Sequence, residues 1–478
     1  MNRPSGTRLA RIVGIQTVVQ FFVDFTASLI VARLLSPTQI GSFSIAMAAV
    51  VVAQTLRSAG VNMFLIATPE LDQQKVRSAL GISMIASFGF AALIWIAAPY
   101  IAIFYREEAV SDVLRLVSVG YLFAPYQVIA HGLMTRALRL TALMVCTIVG
   151  VVSGAVTSVS LALLGWGSLS LAAGSLVFAI VQLAGMIIAR PPMFVLRPSL
   201  IGWRTIWNFT GWVLGSALLS QLGPRLNELF VGRALGIAPA ALLDRAEMLP
   251  RMVWSYAAPP VLNILSPLVA HELRTGVDPR ESLLLRMRLF GCIFSPILIG
   301  LGTQSAPILI GLYGQQWHAS IAPAPYLCVA AAIVGQFVVL NASLTGLGET
   351  RALFFLTVSE QVARVAMLCL LSWTRIEFVA MGTVGVALIY AIAAARLGRK
   401  LGLFSIRELL RSLVPTAAIS ATVAVAGIAI NVARGPVLPG HEIGAVLLAG
   451  LLLAIVWIGA ALLFQRPVIA ALWKLVRR

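Results

Sequence analysis

The sequence predicts an all-α polytopic membrane protein: about fourteen transmembrane helices in two pseudo-symmetric lobes, both termini cytoplasmic. Three observations carry this reading. Of 478 residues, 60% are hydrophobic and only 11% are charged, with a mean hydropathy of +0.96; a soluble domain needs about 25% charged residues to coat its surface. Apolar stretches of roughly 20 residues, enough to cross a hydrocarbon core of about 30 Å, recur along the whole chain. The basic residues, finally, cluster at alternate inter-helix loops, as the positive-inside rule requires.

The first span is expected over 8–34. It begins within MNRPSGTRLARIVG, where three arginines lead into a long, polar-spotted segment. That segment lacks the compact apolar region and small-residue cleavage site of a signal peptide, so it reads as a retained helix. The next five spans are expected at 40–66, 78–102, 112–134, 141–163 and 168–189. Spans at 206–234 and 240–268 carry several charges. Six more follow at 283–306, 321–346, 351–373, 377–396, 411–433 and 443–465. Breakers separate them, among them Ser36-Pro37, Gly165-Trp166-Gly167, Pro191-Pro192 and Gly435-Pro436. Residues 1–200 and 201–400 form the two expected lobes of six spans each. Residues 401–478 add two spans and a basic tail.

With the N-terminus inside, twenty-four of the 35 basic residues fall on cytoplasmic ends or loops and six on the opposite side. The inner groups include Arg136 and Arg139, and Arg190, Arg197 and Arg204. The net charge of +18 is therefore a topology signal spread over loops, not a nucleic-acid footprint. Trp203, Trp207 and Trp212 mark an inner headgroup level, and Tyr100, Phe104 and Tyr105 an outer one. Cys146, Cys292, Cys328 and Cys369 lie in apolar stretches without C-x-x-C spacing. They read as small core residues, and no metal or cofactor is expected.

The chain also repeats itself. LIVARLLSPTQIGSFSIA at 29–46 aligns without a gap with LFVGRALGIAPAALLDRA at 229–246. Leu29/Leu229, Val31/Val231, Arg33/Arg233, Leu35/Leu235 and Ala46/Ala246 coincide, and each copy bridges the first two spans of a half. Paired halves are a common way to build a transporter.

Charge at membrane depth is the sharpest functional signal. Asp24 lies in span one, Arg57 in span two, and Arg225, Glu228, Asp244, Arg245, Glu247 and Arg251 in spans seven and eight. Glu360 and Arg364 lie in span eleven. At about 3 kcal/mol each, ten lipid-facing charges would cost roughly 30 kcal/mol, so they must face protein, water or one another. Gln16, Gln20 and Asp24 form one stripe at i, i+4, i+8. Gln221, Arg225 and Glu228 share a face, as do Asp244, Glu247 and Arg251 around a kink expected at Pro250. One reading is a hydrated, net basic cavity suited to an anionic headgroup. The other is internal pairing that locks helices together, which is the preferred reading for Glu360/Arg364. For Arg33 and Arg233, snorkelling or loop capping is preferred to ligand contact. Pro259-Pro260, Pro323 and Pro325 suggest bent or interrupted helices. No G-x-x-x-x-G-K-[ST] or D-x-D motif is present. The longest outer loop, near Leu312 to Ser320, is short for a glycosyltransferase or polymerase site, so no enzyme is expected.

VARLLSPTQIG at 31–41, GLMTRALR at 132–139, LLGWGSLSLAAG at 163–174 and TGLGETRALF at 345–354 together resemble one family. It is the polysaccharide transporter family (Wzx-like lipopolysaccharide and exopolysaccharide flippases) of the multidrug/oligosaccharidyl-lipid/polysaccharide superfamily. The family often carries G-x-G-x-W before its sixth helix; here Leu169 stands at the tryptophan position. The resemblance implies a fourteen-helix, two-lobed fold that moves an undecaprenyl-pyrophosphate-linked repeat unit across a bacterial inner membrane. It also implies membrane lipids, a polysaccharide polymerase and chain-length machinery as partners. On that reading Arg57, Arg225, Arg245 and Arg251 bind substrate, since guanidinium pairs well with phosphate oxygens, and Asp24 and Glu228 couple to an ion. The rival reading is a multidrug/cation antiporter of the same superfamily.

Overall fold

The computed structural model describes residues 6–68, 70–191, 193–195, 197–201, 223, 225–258, 279–347, 349–435 and 442–464, and within them every regular element is helical. The side chain of Arg57, and all of Gln221, Trp203, Trp207, Trp212, Pro259 and Pro260, lie outside the described residues. Two compact units are defined, Met1–Ala241 and Leu242–Arg478.

The first unit opens with α1 (Gly6–Leu34), α2 (Pro37–Ala67) and α3 (Gln73–Tyr105). It continues with α4 (Ala109–Arg136), α5 (Leu140–Leu163) and α6 (Ser168–Ile188), and then α7 over 225–234. Local chemistry sets these ends. Ser36 caps α2 in a reciprocal box with Gln39, ahead of a proline whose missing N–H costs nothing at a first turn. Asp72 accepts from the Lys75 amide at the start of α3. Inside the unit α4 packs against α2, α3 and α6, and α5 packs against α1 and α6. Val61, Phe64, Val76, Leu80, Ile129 and Leu133 make one apolar core.

The repeat is visible in the backbone. α1 stops at Leu34 and α2 begins at Pro37; α7 stops at 234 and α8 (Ile237–Met252) begins two hundred residues after α2. The Leu35 amide donates to the Val31 carbonyl at 2.9 Å, and the Leu235 amide to the Val231 carbonyl at 2.8 Å. Ile40 to Ser36 is matched by Ala240 to Gly236. The two junctions also touch. A Cβ at Gly41 would stand 2.6 Å from both the Ile237 Cγ2 and its carbonyl oxygen. Gly41→Val is therefore expected to lower stability by about 1–3 kcal/mol. Thermal unfolding in detergent checks this, and Ile237→Ala should rescue only part of the loss because the backbone oxygen remains.

The second unit contains most of α8, whose regular helix passes into a π-helical turn, Val253–Ala257, just after Pro250. The expected ninth span divides into α9 (Pro279–Thr303) and α10 (Ser305–Tyr313), broken at Gln304. The stretch expected as an outer loop near Leu312 to Ser320 is instead the end of α10 and a 3-10 turn, Gln315–Ser320. The expected tenth span is α11 (Ala324–Gly335) plus α12 (Val338–Gly346). Its interruption lies at Gln336–Phe337, and Pro323 and Pro325 serve the start of α11, where proline suits a first turn. Then follow α13 (Thr350–Leu371), α14 (Ile376–Lys400), α15 (Ile406–Arg434) and α16 (Glu442–Phe464). Leu283, Met287, Phe290, Phe294, Tyr390 and Phe404 belong to its core. The last two helices are held by polar side chains on backbone. Asn431 Nδ2 donates to the Thr303 carbonyl at 2.7 Å, and Trp457 Nε1 to the Cys292 carbonyl at 2.9 Å.

Eleven helices among the described residues are long and apolar enough to cross a membrane. They correspond to every expected span except the second, seventh and eighth. Those three extend into undescribed residues or carry the buried charges. The all-α class stands, and the chain is a multi-pass membrane protein. One expectation is corrected: Cys146, Cys292 and Cys328 are buried, but Cys369 is exposed on α13, where an apolar neighbourhood in sequence means a lipid-facing flank.

Candidate transport site

The charges of spans seven and eight take three separate arrangements. On α7, Arg225 Nη1 donates to Glu228 Oε1 at 2.8 Å. Glu228 is 2% exposed, so the guanidinium meets a carboxylate that is costly to bury alone. The i, i+3 spacing brings the two together along one face.

On α8, Arg251 Nη2 bridges two acids, at 2.7 Å to Asp244 Oδ1 and 3.3 Å to Glu247 Oε2. Asp244 and Glu247 are largely buried, whereas Arg251 is 39% exposed. The shared face expected from spacing is real, and its most accessible member is the cation.

Arg245 points elsewhere. Its position on the helix lies about 100° from Asp244, and its guanidinium sits 4.6 Å from the Tyr313 ring centroid and 4.8 Å from that of Trp317. Its Nη1 also lies 3.4 Å from Met248 Sδ, to which the Tyr313 hydroxyl donates at 2.9 Å. Arg245 is 7% exposed, and both rings are fully buried. Sequence spacing did not reveal this aromatic enclosure, because Tyr313 and Trp317 lie some seventy residues away; the only hint was their aromatic character.

Asp24 is exposed on α1, with Gln20 as its hydrogen-bonding neighbour. Within α13, Arg364 Nη2 donates to Glu360 Oε1 at 2.8 Å, the internal pairing preferred for these two. Nearby in sequence order, Asn341 Nδ2 donates to the Tyr390 hydroxyl at 2.7 Å. The Arg233 guanidinium lies 4.8 Å over the Phe104 ring. Of the three aromatics expected at the outer headgroup level, Tyr100 and Phe104 are exposed, but Tyr105 turns inward and its hydroxyl donates to the Leu229 carbonyl.

The profile of a family described as polysaccharide biosynthesis proteins matches residues 30–322. The chain belongs to this family. The chain is also similar to the succinoglycan biosynthesis transport protein ExoT of Rhizobium meliloti (strain 1021): 24% identity over 348 residues, 72% of this chain and 69% of that protein. To the teichuronic acid biosynthesis protein TuaB of Bacillus subtilis (strain 168) it is 21% identical over 303 residues, 61% of this chain and 60% of that one. Among solved structures, the lipid II flippase MurJ in an inward closed conformation superposes with a TM-score of 0.78 at 12% identity, covering 97% of this chain and 100% of MurJ. An inward-facing multidrug resistance MATE family transporter of the MOP superfamily gives 0.59 at 17% identity, covering 84% and 96%. At these identities the structures establish the fold, and the polysaccharide transporter resemblance read from the turn motifs is borne out.

Proposed function

We propose that this protein is a flippase that carries a lipid-linked oligosaccharide, undecaprenyl-pyrophosphate-linked, across the bacterial inner membrane for polysaccharide biosynthesis. It is a transporter and not an enzyme, it works by alternating access, and both termini of its fourteen spans lie in the cytoplasm. The observation that carries the reading is Arg251: a guanidinium at membrane depth, accessible on one side and held on the other by Asp244 and Glu247. Such a cation can exchange a carboxylate for a pyrophosphate oxygen without either group being left bare. Arg225, paired with Glu228, offers the same exchange on α7, and Arg57 adds a third cation. Arg245 supports this set by fixing α8. Asp24 and Glu228 serve ion coupling. The polymerase and chain-length machinery would receive the delivered unit.

Proteoliposomes test the reading. Purified protein should move a fluorescent undecaprenyl-pyrophosphate-linked sugar between leaflets at least tenfold faster than empty vesicles, and Arg225→Gln should reduce that rate several-fold. Movement no faster than in empty vesicles would sink the proposal.

The exposed acid Asp24 favours a second reading, a multidrug/cation antiporter. A null strain that loses tolerance to cationic drugs while its polysaccharide output stays normal would select that reading.

A further inference from the structure

The turn after α4 and the strap after α6 form a surface that holds none of the residues proposed for transport. Arg139 ties them together: its Nη1 donates to the carbonyls of Ala189 and Arg190, each at 3.0 Å. The strap then runs back along the start of α3. The Ser199 amide donates to the Arg77 carbonyl at 3.0 Å, Gln74 Nε2 donates to Ser199 Oγ at 2.9 Å, and the Ser78 hydroxyl donates to the Ile201 carbonyl. Val195 plugs into the apolar core of the first unit. The contact is close: a Cβ at Gly81 would stand 2.2 Å from the Ser199 carbonyl oxygen. One side of the strap is thus fixed to the protein.

The other side has a distinct composition. Arg139, Arg190 and Arg197 are exposed, and no acid occurs in 132–140 or 190–201. Between these cations stand exposed Leu138, Met193, Leu200 and Ile201, the last of them 73% exposed. The backbone holds several of these side chains out at a cost. Leu138, Arg190 and Met193 have φ of 54°, 48° and 59°, three of the four positive-φ non-glycine residues described. Glycine is the ordinary choice at such positions just past a helix end. A side chain kept there against that preference needs an environment that rewards it.

We propose that this surface docks anionic phospholipid headgroups of the bilayer. Water suits the arginines but not the apolar residues between them, and hydrocarbon suits only the latter. The headgroup layer of an anionic leaflet satisfies both, with the guanidinium groups on phosphate and the apolar side chains just below. The strap belongs to the chain between the two sequence halves, so the lipid would hold that connection to the membrane surface.

The test uses the full chain and needs no transport. Phosphatidylglycerol that co-purifies in mild detergent is expected to fall at least fivefold in Arg190→Gln/Arg197→Gln and to persist in Arg190→Lys/Arg197→Lys. The control Arg375→Gln/Arg434→Gln should retain it. Separately, a fluorophore on Ile201→Cys, in a Cys369→Ser background, should be quenched at least twice as strongly by headgroup-spin-labelled phosphatidylglycerol as by equally labelled phosphatidylcholine. Unchanged phosphatidylglycerol in the glutamine variant overturns the proposal. Equal quenching by the two lipids, or quenching by aqueous reagents alone, overturns it as well.

Discussion

Arg245→Leu is expected to destabilise the protein by about 2–4 kcal/mol, the sum of a desolvated cation–π contact worth about 2 kcal/mol and the repacking of a filled site. The guanidinium is 7% exposed and lies within 5 Å of two buried ring centroids, so no water can replace what it contributes. Leucine has a shorter, branched shape and leaves the ring faces uncovered. Thermal unfolding in detergent should show a Tm lower by roughly 2–4 °C. Arg245→Lys should recover only part of this, because an ammonium is a point charge and cannot lie flat between rings. Transport provides the second axis. If Arg245 positions α8, the lysine variant keeps transport in proportion to its folded fraction. A lysine variant that folds normally and fails to transport would instead make Arg245 a ligand.

The second large effect concerns Arg251. Arg251→Gln removes the cation that bridges Asp244 Oδ1 at 2.7 Å and Glu247 Oε2 at 3.3 Å. Breaking a buried pair from one side typically costs 3–5 kcal/mol; with Arg251 39% exposed, water offsets part of that, and about 1–3 kcal/mol is expected. The functional loss should be larger, at least tenfold in polysaccharide export by a complemented null strain. The triple variant Asp244→Asn/Glu247→Gln/Arg251→Gln separates the two effects. It removes every charge of the cluster, so stability should return towards wild type while export stays low. Export restored together with stability would mean that the cluster only locks the helix.

Parts of this site could be read from spacing. Arg225 and Glu228, Glu247 and Arg251, and Glu360 and Arg364 sit three or four residues apart, and each pair is formed. Helical geometry alone puts such partners on one face. The same geometry separates Arg245 from Asp244, yet says nothing about what covers the face it occupies. Among the arginines grouped as ligands, Arg245 is the enclosed one, whereas Arg225 and Arg251 remain partly accessible. The offset of two hundred residues between the repeat copies was equally legible, since the helix breaks at 34–37 and 234–237 follow local breakers. The break at Gln336–Phe337 was not, because no proline or glycine pair marks it.

By itself the sequence determined that this chain lives in a bilayer, roughly where most of its apolar helices lie, and which charges within one helix meet. Those properties depend on hydropathy and on a 3.6-residue period, both of which act over a few turns. Tertiary structure alone decided that Arg245 is enclosed by Tyr313 and Trp317, that Arg233 lies over Phe104, and that Tyr105 turns inward to Leu229. It also decided that the strap after α6 is fastened to α3. These contacts join residues from tens to more than a hundred positions apart. The energy of each depends on which distant surface excludes water from it, and no local pattern encodes that.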